Sequence, residues 1–473
     1  MGDGLIVVLD VGKTLAKLSL WTRAGELVDR TTRANDRLVS ERNYLALDAV
    51  GIEAWLAGAL AGFARHGRVG TIVPVAHGAA AAIVRDGALA CPPLDYEQAI
   101  PAARRLAYEA QRDKFGQTGS PSLPDGLNLG AQLDYLEAVH PGILAEGAMI
   151  LPWPQYWAWR LTGIAASEVT SLGCHSDLWR PRERAPSDLA RARGWADRLA
   201  PLVPAGEVLG PLSESWARRT GLGTQVQVLC GLHDSNAALL TARGFPEIAR
   251  RESTVLSTGT WFVAMRSPKD DRSLDVEALA EARDCLVNID AYGKLIPSAR
   301  FMGGREIEIL SGADARRVDI GPGQPSLVAA VPDLVARASR VLPTFAPGSG
   351  PFPHHRGRWI DMPDNPVSRR AAVCLYAALV ADVSLGLIGA EQQILVEGRF
   401  AEAEVFVRAL ASLRPHDRIY VSNARYDLSY GALRLVEPTL RPQSALAQVR
   451  PLEVDLDGYG RLWAEDVGRA EHG

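Results

Sequence analysis

The stretch LIVVLDVGKTLAKLSLW, residues 5–21, decides the fold. An apolar run ends in Asp10, Val11-Gly-Lys-Thr14 turns the chain, and Leu15–Trp21 is strand-like again. Arg23-Ala-Gly25 then leads into a third strand-like segment, Glu26–Arg33. Short glycine-bearing connections between apolar runs predict antiparallel hairpins. Residues 52–66 carry apolar side chains at helical spacing, and Thr71–Val75 reads as a buried strand. Hairpins followed by alternating helix and strand predict an α/β domain.

The same pattern begins again past residue 245. Ser253–Ser257 and Trp261–Arg266 flank the turn Thr258-Gly-Thr260. A further hairpin is predicted around Ala291-Tyr-Gly293, then helices over 326–341 and 367–390. Ile394–Glu397 and Arg418–Val421 read as strands, each followed by a helix, over 402–413 and 429–437. The expected organisation is a first lobe over 1–245, with a Pro- and Trp-rich insertion at about 100–225. A second lobe spans 246–440, and a loosely packed tail spans 441–473. Two related α/β lobes facing each other across a cleft would place ligands where closure can bury them.

Composition sets the outer limits. A chain of 473 residues suits two domains of roughly 200 residues each. Lys and Arg number 51 against 55 Asp and Glu, so bulk attraction to nucleic acid or anionic lipid is not expected. The five cysteines are scattered and form no CxxC pair, which suits reduced thiols in a cytoplasmic protein. The longest apolar stretch, Ala371 to Ala390, is interrupted by Asp382 and Ser384 and reads as a buried helix, with no membrane span expected.

Five segments have residue types that suit phosphate and hydroxyl chemistry. In Asp10-Val-Gly-Lys-Thr14, Gly12 permits a tight turn with backbone N–H groups near an anion. Lys13 and Thr14 add donors, and Asp10 at a strand end can hold hydrated magnesium. A plain hairpin with a solvated lysine is the competing reading. A Walker A loop is excluded, because Val7 stands where the motif needs its first glycine. Ser257-Thr-Gly-Thr260 repeats that chemistry in the second half, and two such hairpins are more specific than one. Gly231-Leu-His-Asp234 follows a buried strand and opens a helix. Asp234 reads either as an N-cap or as a general base accepting a hydroxyl proton. Val396-Glu-Gly-Arg-Phe400 offers Gly398 for backbone approach to a nucleotide, or a simple strand-to-helix turn. His77, before Gly78 at a strand end, could donate to a sugar hydroxyl or serve structure alone.

The ordered set Asp10-x-Gly-x-Thr14, His77-Gly78, Gly231-x-His-Asp234, Ser257-Thr-Gly-Thr260, Gly398 and Ser429-Tyr-Gly-Ala432 resembles the FGGY carbohydrate kinases of the actin/Hsp70/sugar-kinase superfamily. The resemblance covers about residues 4–440. It implies two ribonuclease-H-like lobes, with sugar held mainly by the first and ATP mainly by the second. It implies Asp234 as catalytic base and Asp10 as a magnesium-side carboxylate. It places Gly12, Lys13, Thr14, Gly259 and Thr260 at the phosphates, Gly398 by the adenosine, and His77 and Gly78 at the sugar. Tyr135 and Gln132 occupy places where relatives face the acceptor. Many relatives read Gly-Thr-Thr at 12–14 and a glycine run at 397–399, so Lys13 and Glu397 are departures. The Phe301–Arg305 segment takes no assigned role. The implied activity is ATP- and Mg2+-dependent phosphorylation of a ketose, deoxy-ketose or polyol, nearer rhamnulose and fuculose kinases than glycerol kinases. The rival reading is a non-catalytic sugar or nucleotide sensor of the same fold. A chaperone-like or phosphatase member lacks support. The expected partners are sugar and ATP, and the expected assembly is a homodimer.

Overall fold

A computed structural model describes residues 4–249, 251–312, 323–422 and 426–470. The chain divides into two compact units. The first contains residues 1–244, 287–295 and 426–442, and the second 245–286, 296–425 and 443–473. The chain therefore leaves the first unit near the expected boundary and returns to it twice. The helix expected at 429–437, observed as Leu428–Val436, belongs with the first unit, not the second.

In the first unit, Leu5–Val11, Leu15–Trp21 and Leu27–Ala34 form an antiparallel meander. Val69–Ala76 pairs parallel to Leu5–Val11 on the other side, and Gln227–Leu229 continues the sheet in parallel. Leu5–Val11 is apolar on both faces because both are covered. Val7 and Leu9 meet the helices Ala49–Phe63 and Trp153–Thr162. Ile6 and Val8 meet Asp234–Ala242 and Leu428–Val436. Ala49–Phe63 starts where Asp48 accepts from the Gly51 amide at 2.8 Å, and it buries Ile52, Leu56, Leu60 and Phe63 on one stripe. The insertion packs its own core around Tyr44, Tyr108, Leu133 and Trp195, and its tryptophans fill cores as their size favours.

The second unit repeats the arrangement. Ser253–Thr258 and Phe262–Ser267 form the leading hairpin, and Leu295–Phe301 extends it antiparallel. Gln393–Gly398 and Arg418–Val421 follow in parallel. The long apolar helix Pro366–Leu387 is buried along most of its length. Asn365 caps it, accepting from the Val367 amide at 2.9 Å. The expectation of a loosely packed tail is corrected. Asp457–Ala470 is a helix whose Tyr459 hydroxyl donates to the Ser339 carbonyl at 2.9 Å. The Trp463 indole N–H donates to the Val341 carbonyl at 2.8 Å, so an aromatic pair on one helical face anchors what composition alone made look loose.

Candidate active site

Parallel strands bring their carboxyl ends to one sheet edge, where α/β sheets present functional groups. In the first unit Asp10 lies opposite Val75, and His233 lies opposite Ala76. Asp10, His77 and Asp234 thus share that edge, although 224 positions separate the first from the last.

Asp10 is buried, and its Oδ2 lies 3.3 Å from the Lys17 ammonium, which lies equally far from Asp427. Burial pushes the Asp10 carboxyl up to about 6; Lys17 opposes this and the charge of Asp234 adds to it. The Lys17 ammonium is raised, because Asp10 and Asp427 outweigh its burial. Lys17 and Asp427 were not singled out in the sequence, and their separation left no local signal.

The turn at 12–14 is fastened from outside. The Gly12 amide donates to the Leu15 carbonyl at 3.0 Å, and the Asn35 side-chain amide donates to the Gly12 carbonyl at 2.7 Å. Lys13, expected at the phosphates, is held by Asp95 at 2.9 Å and Glu97 at 2.5 Å. Its ammonium also lies 4.2 Å from the centre of the Tyr96 ring, which meets His77 edge-on at 5.7 Å. Thr14 is exposed.

His77 is buried, and its Nδ1 lies 2.7 Å from the Gly78 carbonyl oxygen. A carbonyl only accepts, so Nδ1 carries the proton. Burial holds the imidazole pKa down, so the ring is neutral and Nε2 offers a lone pair with no hydrogen-bond partner. Nε2 can therefore only accept, where the sequence reading made His77 a donor. Gln132 is buried and donates to the Ala79 and Gly126 carbonyls, each at 2.6 Å. Tyr135 packs edge-on against Tyr44 at 6.3 Å in the insertion's core. Both side chains have packing roles of their own.

Asp234 is the first residue of its helix; His233 holds the capping position, which corrects the N-cap reading. Its side chain is 28% exposed, enough to meet a ligand. Oδ1 accepts from the Ser235 amide at 2.5 Å and lies 3.1 Å from His233 Nε2. Asn236, two residues on, is buried with neither side-chain polar atom partnered. It was also missed, because an asparagine inside a helix start has no distinctive spacing.

In the second unit Thr258 lies opposite Gly398 across two parallel strands. The Thr258 hydroxyl donates to the Glu397 carbonyl at 2.5 Å and accepts from the Phe400 amide at 3.0 Å. Gly259 and Thr260 are exposed at the turn. A Cβ on Gly304 would lie 2.1 Å from the Gly259 carbonyl oxygen, so only glycine lets the helix Gly303–Ser311 start against this turn. Its first amides bring the positive end of the helix dipole there. This sets Gly303-Gly304 against the Gly259–Thr260 turn, a neighbour that sequence reading left unassigned. Burial pushes Glu397 up to about 7, with Ser257 opposing through a hydrogen bond.

Both sheets share one strand order, that of the actin-like ATPase fold found in sugar kinases. A solved carbohydrate kinase from Novosphingobium aromaticivorans is 57% identical, over 98% of this chain and 100% of that one, with a TM-score of 0.93. The family model for "Carbohydrate kinase FGGY, C-terminal domain" matches residues 250–444. This chain belongs to the FGGY carbohydrate kinase family. An L-fuculokinase of Salmonella typhi is 29% identical over 292 residues, 58% of this chain and 59% of that relative, so the match spans under two thirds of its length. A xylulose kinase from Rhodospirillum rubrum, 17% identical over 98% of each chain with a TM-score of 0.80, shares the fold.

Proposed function

We propose that this chain transfers the γ-phosphoryl group of MgATP to a hydroxyl of a small sugar, with Asp234 as general base. The observation that carries this reading is the Asp234 carboxylate, partly exposed at a helix start with one oxygen already hydrogen-bonded. Phosphoryl transfer needs positioning and charge stabilisation more than covalent help, so a carboxylate ready to take the hydroxyl proton is the main protein-side chemical requirement. The neutral His77 accepts from an acceptor hydroxyl through Nε2. Gly78, Gln132 and Tyr135 complete the acceptor side, the last two through packing. Gly12 and Thr14 of the first hairpin, with Gly259, Thr260 and Gly398 of the second unit, meet the nucleotide. Lys13 steadies the first turn from its place between Asp95 and Glu97.

Magnesium fits this residue set. Among the described residues no cluster of three or more His, Cys, Asp or Glu forms a metal cage. Magnesium, however, keeps phosphate and water ligands and needs only one or two carboxylates. Asp10 is such a carboxylate, and its raised pKa is the mark of a buried anion short of positive charge. When bound, the ion neutralises phosphate charge. The L-fuculokinase relative favours a 6-deoxy-ketose as acceptor. The enzyme is read as a cytoplasmic homodimer.

The test is ADP release over a panel of L-fuculose, L-rhamnulose, D-xylulose and glycerol, with native enzyme and Asp234→Asn. Turnover on at least one sugar, lost in the variant with sugar binding kept, is expected. Sugar binding without turnover by native enzyme identifies a sensor instead.

A further inference from the structure

The segment 168–174 wraps the residue that precedes Asp234. Glu168 caps the short helix Val169–Leu172 and accepts from the Thr170 amide at 2.9 Å. The Thr170 hydroxyl oxygen in turn accepts from the His233 backbone N–H at 3.0 Å. On the ring side, Cys174 Sγ lies 3.8 Å from His233 Nε2. The same Nε2 lies 3.1 Å from Asp234 Oδ1. The Ser235 amide and hydroxyl approach that oxygen at 2.5 Å and 3.2 Å. Oδ1 is thus saturated, whereas Oδ2 takes no hydrogen bond among the described residues.

Gly78 makes this packing possible. A Cβ there would lie 2.7 Å from His233 Nε2 and 3.1 Å from Cys174 Sγ. The glycine of the His77-Gly78 pair therefore reads as room for the imidazole and the thiol.

We propose that Cys174 and His233 are positioning residues for Asp234: they lock Oδ1 and leave Oδ2 as the atom that receives the acceptor's proton. This rests on the reading of Asp234 as the base. Charge supports the geometry. Burial opposes ionisation of both partners, yet the charges of His175 and His233 hold Cys174 below its ordinary value. Cys174, Asp234 and Glu168 hold His233 above its own, and the neutral His77 lies nearby. These opposed shifts favour a charge pair across the 3.8 Å contact between Cys174 Sγ and His233 Nε2.

The test has two arms. Thiolate ultraviolet absorbance is titrated in native enzyme, Cys174→Ser, Cys174→Ala and His233→Asn. Burial raises the thiols of Cys91, Cys285 and Cys374 to about 11 and that of Cys230 as well, which isolates the Cys174 step. One step is expected below about pH 8 in native enzyme, absent from both Cys174 variants and moved up in His233→Asn. Superimposed native and Cys174→Ser curves below about pH 8 overturn the proposal, as does an unmoved step in His233→Asn. In the second arm kcat and KM for ADP release are measured with L-fuculose, L-rhamnulose and D-xylulose. His233→Asn should lower kcat about tenfold. Cys174→Ser should lower it by less, with the sugar KM held within about twofold for both. Native kcat in both variants, with Asp234→Asn inactive, sinks this inference and leaves the base reading standing. Turnover retained by Asp234→Asn removes the base reading itself.

Discussion

The two leading hairpins are the same device put to different use. In the first, a turn is closed by the Gly12 amide on the Leu15 carbonyl, and in the second by the Gly259 amide on the Trp261 carbonyl. Around the first turn the chain gathers charge: Lys13 pairs with Asp95, and Lys17 pairs with both Asp10 and Asp427. Around the second it brings backbone: Gly259, Gly304 and Gly398 lie where side chains would not fit or would cover the turn. On the function proposed above, the first scaffold handles protons and metal-side charge, and the second meets the nucleotide.

Variants in each unit probe that contrast. Asp234→Asn should lower kcat by about 10²–10⁴-fold while calorimetry still detects sugar binding. Turnover within about tenfold of native would remove proton handling from the first unit. Gly304→Ala places a methyl 2.1 Å from the Gly259 carbonyl and must displace backbone. It should raise KM for ATP about tenfold or more, with sugar KM unchanged. Equal effects on both KM values would mean that the second turn does not serve the donor alone.

Asp10→Asn tests the cost of charge at the first turn. The folded pKa of about 6 exceeds the ordinary 3.8, so between these values the folded state binds more protons. Stability therefore falls as pH rises from about 4 to about 6 and stays lowered above that. Removing the carboxylate should stabilise the protein near pH 7 by up to about 3 kcal/mol, fading near pH 4, while turnover drops. Thermal melts that show the same difference at both pH values would contradict this. The smallest effect is expected for Lys13→Thr, which loses its contacts with Asp95 and Glu97. The Lys13 ammonium is taken up by these two carboxylates rather than by a nucleotide, so KM for ATP should move by less than about fivefold. A larger rise would return Lys13 to the phosphates.

What could be read from sequence follows this division. The strand ends and glycine turns were legible because hairpins and strand-to-helix turns write themselves in a few adjacent residues. Leu5–Val11 and Ser253–Thr258 fell where periodicity put them. Partners were not legible. Lys13 meets Asp95, 82 positions away, and the proton on His77 is fixed by a carbonyl that only the folded backbone aims. The place of Leu428–Val436 was hidden for the same reason. Its apolar stripe fits either unit, and only Ile6, Val8 and Leu240 as neighbours decide which.

That helix has a consequence for how the protein is made. Its Tyr430, Leu433 and Val436 complete one face of a sheet whose first strand begins at Leu5. On a ribosome, the leading unit waits with an uncovered apolar surface while nearly the whole remainder of the chain is synthesised. Most of the second unit's strands and helices emerge during that wait, and its last helix, Asp457–Ala470, follows the segment that closes the first core.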